Sequence, residues 1–227
     1  MRILQIGVLI LAVSLVSCKK AELKKPTSVN FAFDLNKSFG QSSAVKIISG
    51  EINLGKFNIT GDRIEGDDIA FTRSFSSGLL IDLNGSGEIK ELDYDIPQGE
   101  YTHIRLDFSA KENSGAPSIM LEGSYKPSTG PNVAVRFEYF INHEFSIIGE
   151  DGDLSSTIVM DKNLGKKVTI ELNPIYWFES LTTGQLDNAN IDNGQGQNIM
   201  LINPTTNAEL YTIVAARIGM NNKAEFK

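Results

Sequence analysis

Ile96-Pro97-Gln98-Gly99-Glu100-Tyr101-Thr102-His103-Ile104-Arg105-Leu106-Asp107-Phe108 is the stretch whose reading decides the fold. Pro97 at the second place of a turn, with Gly99 after it, can close a tight reversal, because proline pre-sets φ and glycine accepts the left-handed region. Alternation with period two follows, the mark of a strand with one buried face. It predicts Thr102, Ile104, Leu106 and Phe108 on one face, with Tyr101, His103, Arg105 and Asp107 on the other.

Upstream, Val29, Phe31, Phe33 and Leu35 alternate with Asn30, Ala32 and Asp34, and further strand-like runs cover Ala44–Ile48, Glu51–Thr60, Asp68–Phe75, Leu79–Leu83 and Ile89–Tyr94. Downstream, Lys111–Pro117 is a turn-rich break, followed by runs at Ser118–Tyr125, Asn132–Ile141, Glu144–Gly149, Ser155–Met160, Lys166–Leu172 and Ile199–Ile202. Gly, Asn, Ser and Asp clusters separate these runs, and no helical pattern of a dozen residues lies between them before the C-terminal region. That rhythm predicts an all-β fold, an antiparallel β-sandwich, rather than a parallel α/β sheet. The halves on either side of 110–117 do not repeat each other, so a single sandwich over 29–227 is preferred to two small units.

Helical signals are confined to the end. Asn173 as cap with Pro174 at the first helical position predicts one or two turns over Pro174-Ile175-Tyr176-Trp177-Phe178, a lid on the sandwich. Thr182–Asn198 reads as a polar Gly- and Asn-rich segment. Thr206 and Glu209 fit a capping box for a longer helix through Leu210, Tyr211, Val214, Ala215 and Ile218, with Gly219 as its stop.

The N-terminus bears on location. Arg2 precedes an apolar run from Ile3 to Val16, too short to span a bilayer as a helix, and the run ends in Leu15-Val16-Ser17-Cys18. This resembles a bacterial lipoprotein signal peptide with its lipobox. The resemblance implies cleavage after residue 17, a diacylglycerol on the Cys18 sulfur, acylation of the new amine and attachment to the cell envelope, expected at the outer membrane, with periplasmic and surface faces both open. Cys18 is the only cysteine, so no intramolecular disulfide competes for it. Residues 18–28, with Lys19, Lys20, Lys24, Lys25 and Pro26, read as a flexible tether. The phrase Pro97-x-Gly99-x-Tyr101-x-x-Ile104-Arg105-Leu106 in turn resembles transthyretin-like and related β-sandwich domains of Bacteroidota lipoproteins, which implies an immunoglobulin- or transthyretin-like sandwich and no particular activity.

Loss of residues 1–17 removes one positive charge and moves the formal charge from −7 to −8. That balance speaks against a nucleic-acid partner, which requires basic surface. His103 and His143, the only histidines, have no partners at metal-ligand spacing, and no Gly-x-Ser-x-Gly elbow is present. No enzyme and no cofactor beyond the lipid on Cys18 are expected. Asp151 and Asp153, and Asp187 and Asp192, alternate with other residues as calcium ligands do, although ordinary turn chemistry is the preferred reading. Trp177 and Tyr176 are the ligand-binding candidates by residue type, with a core plug as the preferred alternative. The function expected is a membrane-anchored, non-enzymatic binding or interaction module with a protein or glycan partner. A fimbrial or adhesive subunit and a carbohydrate-binding accessory protein are the alternatives.

Overall fold

The computed structural model describes residues 25–37, 43–85, 87–162, 166–192 and 198–227. Cys18, the expected signal segment and the expected tether up to Lys24 lie outside the described residues. Among those described, the strands are β1 (Pro26–Leu35), β2 (Val45–Arg63), β3 (Ile69–Asp82), β4 (Tyr94–Pro97), β5 (Gly99–Ala110), β6 (Ile119–Tyr125), β7 (Val133–Tyr139), β8 (His143–Asp151), β9 (Ile158–Met160), β10 (Lys166–Leu172), β11 (Ile199–Ile202) and β12 (Lys223–Phe226). The α-helices are α1 (Pro174–Phe178), α2 (Thr183–Asp187) and α3 (Ala208–Ala215), and Lys90–Leu92 forms a 3₁₀ turn inside the run Ile89–Tyr94 expected as a strand. The chain is therefore all-β in class.

The long strand β2 joins two of the expected runs. Its inward residues are Val45, Ile47, Gly50, Ile52, Leu54, Phe57, Ile59 and Gly61, a period of two broken by two steps of three. Those steps coincide with register shifts between Ile47 and Ser49 and between Leu54 and Lys56. A bulge adds one residue without a partner, so alternation restarts and the apolar set stays on one face. β5 pairs with the second half of β2 and β6 with the first half. At the fork sits Asn53, 6% exposed: its amide NH donates to Ser118 O, its carbonyl accepts from Lys111 N, and its Nδ2 donates to Lys111 O at 2.7 Å. The turn-rich break at 111–117 is the passage between two strands that share β2.

Another bulge corrects the expected faces of β5. The register runs Asp62 to His103 and then Arg63 to Tyr101, skipping Thr102. Thr102 and His103 both face outward, and Tyr101 turns into the core with 0% exposure. Its hydroxyl donates to Pro97 O at 2.6 Å, which satisfies the one polar atom the ring takes inside.

The sheet is mixed, not antiparallel. β1 with β10, β7 with β11, and β8 with β12 are parallel pairs; the other ladders are antiparallel. Parallel neighbours need a long crossover. Here the crossovers are large parts of the domain: β1 and β10 meet across more than a hundred residues of chain, and the passage from β7 to β11 carries α1 and α2. β1 begins at Pro26, inside the segment expected to be tether, because Pro26–Val29 pairs with β4. β8 serves two neighbours, pairing with β5 over His143–Ile148 (opposite Arg105–Ala110) and with β12 over Gly149–Asp151. A Cβ on Gly149 would lie 2.3 Å from the Phe226 ring, so glycine is what allows this approach.

The core fills the space between β1 and the β2–β5 pair. Phe31 meets Phe57 edge-on at 5.1 Å and Phe33 meets Phe108 at 5.1 Å, while Phe108 stacks on Phe145 at 4.7 Å. The helices cover β7: Phe137 lies 5.5 Å from Phe178 and 5.8 Å from Tyr211.

α1 forms as the sequence predicts, with Asn173 Oδ1 accepting from Tyr176 N at 3.2 Å and proline in the first turn. α3 does not. Its cap is Asn207, left-handed at φ 55°, with no side-chain capping bond, and Thr206 stands outside the helix. The Asn207 amide is engaged elsewhere: Nδ2 donates to Asn190 O at 2.9 Å and Leu201 O at 2.7 Å, and Oδ1 accepts from Asn190 N at 2.8 Å. A tertiary clasp outcompetes the local capping box. The helix closes at Ala215, and turns carry Ile218 into the core before Gly219 at φ +90°.

Candidate functional site

The segment between α1 and β11 builds the site. Thr182 and Gln185 form a capping box at the start of α2: Thr182 Oγ1 accepts from Gln185 N at 3.3 Å, and Gln185 Oε1 accepts from Thr182 N at 2.9 Å. Leu181 and Leu186, before the cap and in the following turn, are both buried, which is how a hydrophobic staple seats a short helix. This helix was not expected in the polar segment 182–198, yet Leu181-Thr182-x-x-Gln185-Leu186 carries its signal.

Asp187 ties α2 to the loop after β6. It accepts from Tyr125 OH at 2.7 Å and from Ser128 N at 3.1 Å. Hydrogen bonds from Ser128 and then Tyr125 hold its carboxyl below the ordinary aspartate value. Burial, and then the bond to Asp187, push the Tyr125 hydroxyl up to about 12.

Between α2 and the start of α3 lies a groove of about 670 Å³. Its polar lining is Thr182, Gln185, Asn188, Asn190, Thr205 and Asn207, and Glu209 is the one charged residue in its wall among the described residues. The Asn190–Asn207 clasp ties together two of its lining residues. A smaller cavity of about 390 Å³ shares Asn190 with it and is lined by Arg136, Glu138, Asp192 and Thr206 among others. Asn188 Nδ2 donates to Gly184 O at 2.8 Å. An amide that donates with one atom keeps an acceptor on the other, so such a lining can meet a hydroxyl in either sense.

The groove stands far from where the chain enters the body. Tyr125, which holds Asp187, pairs with Val45 at the start of β2, whereas Arg63 at its other end donates to Gln98 O, and Gln98 N donates to Lys25 O. The 19 residues of β2 separate the two ends. A straight strand of that length runs roughly 60 Å, which bulges and twist shorten.

The aromatic candidates are not at this groove. Trp177 is 0% exposed, and its Nε1 donates to Met220 O at 3.1 Å. Its ring therefore offers no face to a ligand. Tyr176 is half-buried under Arg217, whose guanidinium lies 4.1 Å from the ring centre while also bonding Tyr176 O and Glu179.

The four calcium candidates do not converge. Asp151 Oδ1 accepts from Asp153 N at 3.0 Å and Oδ2 lies 3.7 Å from Lys166 Nζ, an aspartate turn closed by an ion pair. Asp187 is the helix–loop tie described above, and Asp192 bridges to Ile199 through the backbone. Among the described residues no three His, Cys, Asp or Glu side chains group as ligands for a metal ion.

The histidines are also apart. His103 lies 3.9 Å from Asp62 on an exposed face. His143 packs edge-on against Phe145 at 4.7 Å, and burial lowers its pKa. The chain matches no protein-family model, no curated protein and no solved structure.

Proposed function

We propose that this chain is a lipid-anchored lipoprotein of the cell envelope, of the Bacteroidota type, whose body is a non-enzymatic binding module. The strand groups around β1–β10 and β2–β5 are read as the two layers of an immunoglobulin- or transthyretin-like sandwich, with β8 shared between them. The observation that carries this reading is the lipobox Leu15-Val16-Ser17-Cys18 standing seven residues before the first strand. Seven extended residues reach about 25 Å at most, so an acylated Cys18 would hold the Lys25 end of the body close to the bilayer. Two or more acyl chains suffice for stable attachment.

Binding is favoured over catalysis by the groove's lining. Glycoside hydrolysis by the usual route requires two opposed carboxyl groups, and among the described residues the groove presents Glu209 alone beside amides and hydroxyls. A fimbrial subunit is the second reading, supported by β1: the first strand after the tether, it is hydrogen-bonded on both edges and carries Phe31 and Phe33 into the core, as a donated strand would.

The test is membrane fractionation of the full chain and of Cys18→Ala. The wild-type chain should sediment with membranes and the variant should be released to the soluble fraction. A variant that stays membrane-bound after signal cleavage would refute the lipid anchor.

A further inference from the structure

We propose that the groove between α2 and α3 is a binding site for a neutral, hydroxyl-rich ligand, a glycan segment, held away from the bilayer by the body of the protein. The inference rests on the binding-module reading and assigns that module a ligand class and a place.

Three observations carry it. The first is size: about 670 Å³ is within the range of small-ligand clefts and accommodates a few sugar rings. The second is chemistry. A sugar hydroxyl both donates and accepts, and a side-chain amide is the neutral group that answers both needs. Gln185 Oε1 is occupied by Thr182, and Asn188 Nδ2 by Gly184 O, which leaves the Gln185 NH₂ as donor and the Asn188 carbonyl as acceptor on the same helical turn. The Asn190 side chain completes the set at the junction with the smaller cavity. With Glu209 as the lone charge in the wall among the described residues and a net negative chain, the site suits an uncharged ligand over a uronic acid or phosphate polymer.

The third is rigidity and placement. Asn207 is pinned by three hydrogen bonds and α2 by its capping box and by Asp187, so the polar groups are fixed before a ligand arrives, which lowers the ordering cost of binding. The groove lies at the Val45 end of β2 and the tether enters at the Arg63 end, so the site faces the space beyond the membrane. Among the described residues no aromatic ring lines the groove, so recognition is by hydrogen bonds.

The experiment probes an array of neutral and uronic-acid-containing glycans with the detergent-solubilised full chain, then repeats it with Asn188→Ala/Asn190→Ala. Both residues are exposed, and the bonds that Asn190 makes to Asn207 are through its backbone, so the fold should hold; an unchanged melting temperature verifies this. The expected result is binding to a subset of neutral glycans that falls at least tenfold in the double variant. Three results would overturn the proposal: no glycan bound, acidic glycans bound in preference, or undiminished binding by the variant. None of them bears on release of Cys18→Ala from membranes, so this proposal and the lipoprotein reading fail separately.

Discussion

Trp177 shows what a single residue contributes. An aromatic run, Tyr176-Trp177-Phe178, fits either a ligand platform or a plug, and one turn of helix starting at Pro174 decides between them. It turns Trp177 and Phe178 inward together, where the indole NH finds Met220 O and Phe178 finds Phe137. Because Trp177 is the only tryptophan, it reports on its own surroundings. Its emission should be blue-shifted and poorly quenched by acrylamide in the folded chain, and unaltered by any glycan. Emission near that of free indole would show that the ring is solvent-facing. Trp177→Ala should cost about 3–5 kcal/mol in chemical unfolding, the range for emptying a large aromatic site, while Trp177→Phe should cost less because most of the packing remains.

At the scale of elements, the tie between α2 and the β6–β7 loop couples stability to pH. The folded-state pKa of Asp187 lies below the ordinary value near 3.8, so its contribution is present above that value and is lost as pH falls through the folded-state pKa. Melting curves of wild-type and Asp187→Asn chains should therefore differ at neutral pH, with the variant lower, and converge in acid below the ordinary aspartate range. A gap that stays constant down to acid pH would show that the carboxylate charge plays no part. Tyr125 has the opposite sign: raised from 10.0 to about 12, its contribution is present below 10 and is lost as pH climbs through 12. The same tie sets one wall of the groove, so the variant also tests whether the wall is prebuilt.

For the whole molecule, the consequence of β2 is separation. Ile64 follows Arg63 at the end of β2 where Lys25 leads into the body, with its backbone NH bonded to Glu100 O, and Asn188 lines the groove at the far end. Cys18 is the sole cysteine and on the proposed anchoring carries lipid, so Ile64→Cys and Asn188→Cys each offer one labelling site; both residues are exposed. In vesicles containing an acceptor lipid, energy transfer from a donor at 64 should be strong and from a donor at 188 weak. Equal transfer from both would mean that the body lies flat and the groove is not held away from the surface.

Much of the strand content was legible in the sequence. Alternation at Val29–Leu35, Ser118–Tyr125, Val133–Tyr139 and Lys166–Leu172 places strands where they occur, because a half-buried strand must alternate whatever it pairs with. Partners were not legible. That β1 runs parallel to β10, that two runs merge through a bulge into β2, and that Tyr101 turns inward past Thr102 depend on contacts with distant chain, and bulges break the very periodicity by which strands are read. The groove escaped for the same reason: Thr182, Asn190 and Asn207 are ordinary turn and cap residues until the clasp between Asn190 and Asn207 brings them together. The sequence by itself determined the class of fold and the apolar face of most strands, both of which follow from local chemistry and short-range period. Pairing direction, the burial of Trp177 and the amide groove were decided only by tertiary structure, since each depends on residues far apart in the chain meeting at hydrogen-bond or van der Waals distance.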